Sequence, residues 1–205
     1  MKDNPKRKQL VRPSHVKRCS PTPAQVDAAM ARRGYDVGWH GTVGRWTTPI
    51  FGCPHGVEAF YLSVERGVAE SYAALRALFL DEKPRVKKFY VALRNVLVFH
   101  DNGCSFKEFE RVLANAKMRG YDVVKALGAF DDQYYRLGKH GEIIRPTGED
   151  VPDEAGPADI WVVLNPAALV SPLEARRMLA GHGGRPSKGK TVVGRIFRTD
   201  AKVGA

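Results

Sequence analysis

The sequence predicts a single α+β domain, and three observations support this. The chain has 205 residues, which is enough for one well-cored domain and too few for two full ones. Apolar periodicity with capping residues predicts helices, and runs of β-branched and aromatic residues predict strands. The order is helix, two strands, helix, two strands, helix, strand and two more strands, which does not alternate as in a doubly wound sheet.

Three predicted helices carry their own start and stop signals. The first begins at the capping box TPAQ (22–25), whose proline suits the first helical position, and it stops at Gly34. The second covers 68–79, and the third begins at the capping box over 105–108 and ends at Gly120. The apolar positions of the second helix form one stripe: Val68, Tyr72, Leu75 and Phe79.

The strands are predicted from shorter patterns. They fall at 35–40, 58–63, 85–100 (two strands or one bent strand), 121–127, 159–169 and, in the tail, 191–197. Residues 43–57 form a loop rich in Gly, Pro and Thr, and 128–158 is a long, partly acidic connection with a short strand expected at 142–145. A connection of that length in a compact domain is more often functional than idle.

The net charge of +11 belongs to the two ends of the chain. The chain has 33 basic residues (Lys and Arg) and 22 acidic residues (Asp and Glu). Residues 1–18 hold seven of the basic and one of the acidic residues, and residues 176–205 hold eight basic residues and one acidic residue. The remaining 18 basic and 20 acidic groups leave residues 19–175 near neutral. Basic arms bind phosphate polymers or acidic surfaces, or they act only as solvated tails, and composition leaves both alternatives open.

These shifts in composition predict three regions. Residues 1–20 form a basic, flexible arm, 21–178 form the folded domain, and 179–205 form a basic extension with one strand. No apolar run of 18 or more residues exists, and no apolar stretch follows the basic N-terminus. We therefore expect neither a membrane span nor a signal peptide, and a cytoplasmic protein of the producing cell or of a target cell.

The cysteines argue against disulfide and metal chemistry. Cys19, Cys53 and Cys104 are far apart and odd in number, which favours a reducing compartment. The triplet Cys53-Pro54-His55 lacks a second Cys/His pair at ligand spacing. We therefore expect no metal.

Three short segments carry the candidate site: WHGT (39–42), FYLSVERGVAESYA (60–73) and DIWVVLNPAALVSP (159–172). Each alone is weak, because a histidine in a strand or a tyrosine on an apolar stripe is usually structural. In this order, with Tyr61 and Tyr72 eleven positions apart, they resemble the ADP-ribosyltransferases of the diphtheria-toxin and poly(ADP-ribose) polymerase branch. The resemblance covers residues 35–172 and implies a split β-sheet core with flanking helices.

The resemblance also implies that NAD is the substrate. His40 would hydrogen-bond a ribose hydroxyl, and Gly41 would bind the carboxamide through its backbone, where a Cβ would obstruct close approach. The rings of Tyr61 and Tyr72 would hold the nicotinamide between them. Thr42 and Arg45 would contact the second ribose and the pyrophosphate, with the loop 43–57 over the dinucleotide. No GxGxxG follows a strand, so this is not a Rossmann site.

The third segment departs from the family pattern. Ile160 occupies the position of the family's glutamate, and the adjacent Asp159 should point to the opposite face of its strand. The chain is then a His-Tyr-Ile transferase that attaches a single ADP-ribose, a transferase that borrows an acid from the long connection, or a module that only binds NAD or ADP-ribose. The acids that this connection offers are Asp131, Asp132, Glu142 and Glu149. In polymerising relatives the glutamate orients the growing chain, so we expect no polymer.

The resulting hypothesis is a toxin-like mono-ADP-ribosyltransferase. It moves ADP-ribose from NAD to a macromolecular acceptor, either nucleic acid (RNA or DNA) or an acidic protein surface, and releases nicotinamide. Gln133, Tyr134 and Tyr135 are expected near the acceptor, because relatives carry a target-recognition loop there. The alternatives are an NAD-depleting glycohydrolase and a non-catalytic binding module. Acceptor identity, oligomeric state and a toxin, phage or housekeeping role stay open.

Overall fold

The structure is a computed structural model, and it describes residues 20–45, 49–53, 55–130, 136–140, 142–144 and 157–181. The helices are α1 (Pro23–Arg32), α2 (Arg66–Leu80), α3 (Phe106–Met118) and α4 (Pro172–Leu179). The strands are β1 (Tyr35–Val43), β2 (Phe60–Ser63), β3 (Pro84–Ala92), β4 (Val96–His100), β5 (Val123–Phe130), β6 (Arg136–Leu137), β7 (Ile143–Ile144), β8 (Pro157–Val163) and β9 (Leu169–Val170).

Seven of the strands form one mixed sheet in the order β4-β5-β8-β2-β1-β3-β9, which confirms the α+β class. Strands β4 and β5 are parallel and the other neighbours are antiparallel. The sheet is continuous, but it is thin at the seam between β1 and β2, whose register is the single pair Trp39 and Ser63. The whole length of β1, by contrast, pairs with β3.

The helices cover the sheet at different places. Helix α3 packs Phe109, Leu113 and Ala116 into a cluster with residues of β5 and β8. Helices α1 and α4 bury Met30 and Ala175 against β3. Helix α2 lies on β1 and β3, beside the seam. None of the helices in the described residues is long and apolar enough to cross a membrane.

The apolar stripe predicted for α2 is largely wrong. Val68 is buried, but Tyr72 is 41% exposed and Phe79 is 80% exposed. The buried face instead consists of small residues: Ala69, Ser71, Ala73, Ala74 and Ala77. The reason lies on β1, where a Cβ added to Gly41 would stand 2.0 Å from the Ala69 carbonyl oxygen. Helix α2 approaches the strand so closely that only small side chains fit between them.

Local signals predicted the other helices well, with one omission. The capping boxes of α1 and α3 are both formed. The strand predicted at 159–169 ends at Val163, and a short 3₁₀ helix over Pro166–Ala168 follows. Helix α4 was not predicted, although Ser171 and Glu174 form a complete capping box. This helix crosses the boundary predicted at 178, and the tail strand predicted at 191–197 lies outside the described residues.

Candidate functional site

A cavity of about 790 Å³ opens beside the seam between β1 and β2. Its lining follows the strand order from β1 through β2, β8 and β5 to the end of β4, and helices α2 and α3 contribute side chains. Six residues that the sequence assigned to the site line it: His40, Gly41, Thr42, Tyr61, Tyr72 and Ile160. Three segments far apart in sequence therefore meet in one pocket, and its volume is within the range of about 300–1,000 Å³ that is typical of ligand sites.

His40 lies across the seam. Its Nδ1 is 2.8 Å from the Tyr61 carbonyl oxygen, and its ring stacks on Phe60 with centroids 4.4 Å apart. Because a carbonyl oxygen only accepts hydrogen bonds, Nδ1 carries the proton and Nε2 is the acceptor nitrogen. Burial lowers the pKa of His40 to about 4, helped by the positive charges of Arg76 and Lys87. The imidazole is therefore neutral at pH 7 and suited to accept a hydrogen bond from a hydroxyl.

The two tyrosines reach the cavity from different elements. Tyr61 is on β2, and its buried hydroxyl has no hydrogen-bond partner in the described part of the chain. Burial also raises its pKa, so the hydroxyl stays protonated. Tyr72 is on α2 and is half-exposed at the cavity. The close contact between α2 and β1 turns Tyr72 away from the core and toward the pocket, and this explains its departure from the predicted stripe.

Gly41 and Thr42 line the cavity from β1. Gly41 is needed for a reason that the sequence did not suggest, because a Cβ there would collide with the backbone of α2 at Ala69 and Ala73. Its lack of a side chain thus serves helix packing, whatever its backbone binds. Thr42 is buried, with 6% of its surface exposed, and forms part of the wall of the pocket.

Ile160 and Asp159 point to opposite faces of β8, as the alternation of a strand requires. Ile160 lines the cavity, packs in one cluster with Tyr61 and stands opposite Ser63 of β2. Asp159 is not among the lining residues. It accepts a hydrogen bond from the Gly128 backbone N–H at 3.1 Å and lies 3.9 Å from the Lys125 ammonium. Asp159, the catalytic candidate adjacent to Ile160, therefore contacts β5 and is not part of the described cavity lining.

Among the described residues that line the cavity, the one Lys or Arg is Arg76, and Arg45 is not among them. Arg45 is exposed just after β1 and does not line the pocket, whereas Arg76 lies on α2, one helical turn after Tyr72. Side chains four residues apart share a helix face. That spacing from Tyr72 is the sequence signal that would have pointed to Arg76.

The end of the cavity near β4 contains residues that sequence analysis did not assign to a site. His55, Asp101, Cys104 and Phe106 line it. The His55 ring lies 4.3 Å from Phe106 and 5.5 Å from Tyr61, and its buried Nδ1 has no partner among described atoms. Burial lowers the pKa of His55, against the opposing effect of Glu110. Burial and the neighbouring Asp101 raise the pKa of the Cys104 thiol to about 11, so this cysteine is protonated and a poor nucleophile.

Several predicted residues are not part of the described pocket. The acceptor candidates, Gln133, Tyr134 and Tyr135, and three of the substitute acids, Asp131, Asp132 and Glu149, lie outside the described residues. Glu142 is described, and it accepts a hydrogen bond from the His140 backbone N–H at 2.9 Å, away from the pocket. Within the described ranges, no group of three or more His, Cys, Asp or Glu is arranged to hold a metal ion.

Comparison with known proteins adds no relative. The chain matches no protein-family model, and no curated protein matches it significantly.

Proposed function

We propose that this protein is an NAD-dependent mono-ADP-ribosyltransferase. The observation that carries the proposal is the convergence of His40, Tyr61 with Tyr72, and Ile160 on one cavity. Those residues come from three segments that the resemblance had already connected, and nothing in their local sequence forces them together. A purely structural origin of each motif would leave this convergence unexplained.

The chemistry of the cavity wall suits NAD. The neutral His40 offers Nε2 as an acceptor for a ribose hydroxyl, because its Nδ1 donates to the Tyr61 carbonyl. The aromatic faces of Tyr61 and Tyr72 suit the flat nicotinamide ring. Arg76 replaces Arg45 as the candidate contact for the pyrophosphate, since a guanidinium binds phosphate oxygens strongly.

In the proposed reaction, the bond between nicotinamide nitrogen and ribose C1′ breaks, and its electron pair leaves with nicotinamide. An acceptor nucleophile then bonds to C1′ of the cation-like ribose and gives up its proton. The protein contributes positioning and a preorganised electrostatic environment. With isoleucine at position 160, the cavity has no carboxylate at that point on β8 to orient a second ADP-ribose, which favours a single transfer.

Release of nicotinamide from NAD by the purified chain tests the proposal. We expect His40→Ala to lower the rate of nicotinamide release by at least about a hundredfold. Tyr61→Phe should lower it by about threefold. Loss of a transition-state contact is expected to have the larger effect, and Tyr61→Phe removes only a hydroxyl. His100→Ala is a matched control, because His100 is exposed at the end of β4 and does not line the cavity. The enzyme hypothesis fails if the wild-type chain releases no nicotinamide with cell lysate as acceptor.

The same assay separates the alternatives. A glycohydrolase would consume NAD at full rate without an acceptor and would yield free ADP-ribose. A binding module would bind NAD, with affinity lowered by His40→Ala, and would release nothing. Transfer predicts label from adenylate-labelled NAD on a polymer, at one ADP-ribose per acceptor site.

A further inference from the structure

We propose that the β4–α3 end of the cavity is the acceptor subsite and that it receives an unpaired nucleobase of single-stranded nucleic acid. The inference rests on the proposed transferase function. The subsite consists of four residues that the NAD site does not use: His55, Asp101, Phe106 and Phe109.

The location suits an acceptor because it adjoins the reacting centre. His55 lies between the two ends of the cavity, with ring centroids 5.5 Å from Tyr61 and 4.3 Å from Phe106. The Tyr61 and Phe106 rings are therefore no farther apart than the sum of these two distances. A group bound against Phe106 would therefore lie beside an NAD whose nicotinamide lies against Tyr61.

Phe106 offers an exposed aromatic face to the subsite, and its ring is tilted by 40° to the ring of His55. Phe106 is 57% exposed, although it lines the cavity and its ring packs against His55. His55 is in turn held edge-to-face by Phe109, at 5.3 Å and 86°. Exposed aromatic faces supported from behind are the surfaces on which unpaired bases stack.

Asp101 supplies a directional contact. Among described residues that line the cavity, it alone has a carboxylate, and one of its oxygens accepts from the Cys104 backbone N–H at 2.9 Å. An ionised carboxylate accepts about four hydrogen bonds, so it retains capacity for a ligand donor. The amino and imino N–H groups of nucleobases are such donors.

The charge of the chain favours a polyanion over an acidic protein side chain in this subsite. The net charge is +11, and the excess of Lys and Arg lies in the terminal regions rather than in the near-neutral centre of the chain. A polyanion would be attracted by those regions, whereas an acidic side chain next to Asp101 would be repelled. The base has to be unpaired, because a stacked and paired base cannot enter a pocket.

The proposed transfer needs no reagent besides NAD and the base. The C1′–nicotinamide bond breaks with its electron pair on nicotinamide, a nitrogen or oxygen of the base bonds to C1′, and the displaced proton passes to water. Nothing is oxidised or reduced.

The test measures transfer of label from adenylate-labelled NAD to mixed-sequence single-stranded RNA, single-stranded DNA, the matching duplexes and an acidic protein. The full-length chain is used, and nicotinamide release is recorded in the same tubes. We expect label on one or both single strands, at least about tenfold above the duplexes and the protein. The RNA and DNA arms identify which polymer supplies the base.

Two variants locate the subsite. Phe106→Leu keeps apolar volume but removes the stacking face, and Asp101→Asn keeps the oxygen that accepts from Cys104 but replaces the other with a donor. Phe106→Leu should reduce labelling of the oligonucleotide by about five- to a hundredfold, the effect of losing one stacking aromatic. Asp101→Asn should reduce it by about tenfold or more, the effect of losing a hydrogen bond to a charged group. In both variants the affinity for NAD should change by less than about twofold. Phe79→Leu is the control, since Phe79 is 80% exposed and lies outside the cavity.

The possible failures are distinguishable. No nicotinamide release by the wild-type chain refutes the transferase itself. Release with label on the protein and none on the oligonucleotides overturns the nucleobase assignment and leaves the transferase in place. Equal labelling of oligonucleotides by wild type and both variants, with unchanged melting temperatures, overturns the assignment of the subsite to Asp101 and Phe106.

Discussion

His40 should make this protein sensitive to mild acid, and the size of the effect follows from its position at the seam. Its pKa is about 4 in the folded chain, against an ordinary value of 6.5, mainly because the ring is buried. Between these values the unfolded chain binds the proton and the folded chain does not, so stability is lost as the pH falls from 6.5 toward 4. Linkage gives a loss of about 2 kcal/mol between pH 7 and pH 4.5.

Urea unfolding at both pH values, on the wild type and on His40→Gln, measures this contribution. Glutamine does not titrate, so the variant should lose about 2 kcal/mol less than the wild type over the same interval, even if it is less stable at pH 7. His100→Gln is the matched control, a histidine replaced at an exposed position at the end of β4. An equal acid loss in the wild type and His40→Gln would refute the argument that burial at the seam holds His40 neutral.

Two further predictions concern the neighbours of His40. Gly41→Ala should destabilise the fold by about 1–3 kcal/mol, because the added Cβ would collide with α2. Gly67 lies on α2 with open space around it, so Gly67→Ala should stabilise the fold by about 0.4–1 kcal/mol. Urea unfolding measures both changes. Equal effects would contradict the close packing of α2 on β1. Arg76→Gln should weaken NAD binding by roughly tenfold in calorimetry, from loss of a charge-assisted phosphate contact, while Arg45→Gln changes it by less than about twofold. The reverse order would restore Arg45 as the phosphate contact.

The sequence predicted the parts of the fold that depend on local chemistry. The capping boxes at Thr22 and Ser105 fixed the starts of two helices, because an Ncap side chain and its N3 partner interact over only three residues. Helix α4 carries the same signal at Ser171, a capping box that the sequence prediction did not include. The turn at Asn95, with φ of 61°, separates β3 from β4 where the sequence had left a bend as the alternative.

The candidate site was predictable where a motif resemblance existed and not elsewhere. His40, Tyr61 and Ile160 could be assigned from their segments, and all three line the cavity. Asp101 and Phe106 could not, because their positions depend on contacts between distant parts of the chain. Asp101 follows β4, which pairs in parallel with β5, and Phe106 begins α3, which packs on β5 and β8. No periodicity in the sequence encodes which strand neighbours which.

The position of Asp101 also bears on how a transferase could work with isoleucine at position 160. Ile160 pairs with Ala126 of β5, and the Asp101 backbone N–H donates to the next β5 residue, Leu127, at 3.0 Å. The carboxylate therefore enters two strands away from the family's glutamate position, roughly 10 Å at the spacing of a sheet. Under the proposed function, a carboxylate at that distance holds a donor on the acceptor rather than a ribose hydroxyl of NAD bound between Tyr61 and Tyr72. Under the same proposal, the one carboxylate among the described lining residues selects what the sugar is attached to, and no carboxylate stands at position 160 to align ADP-ribose itself as the next acceptor.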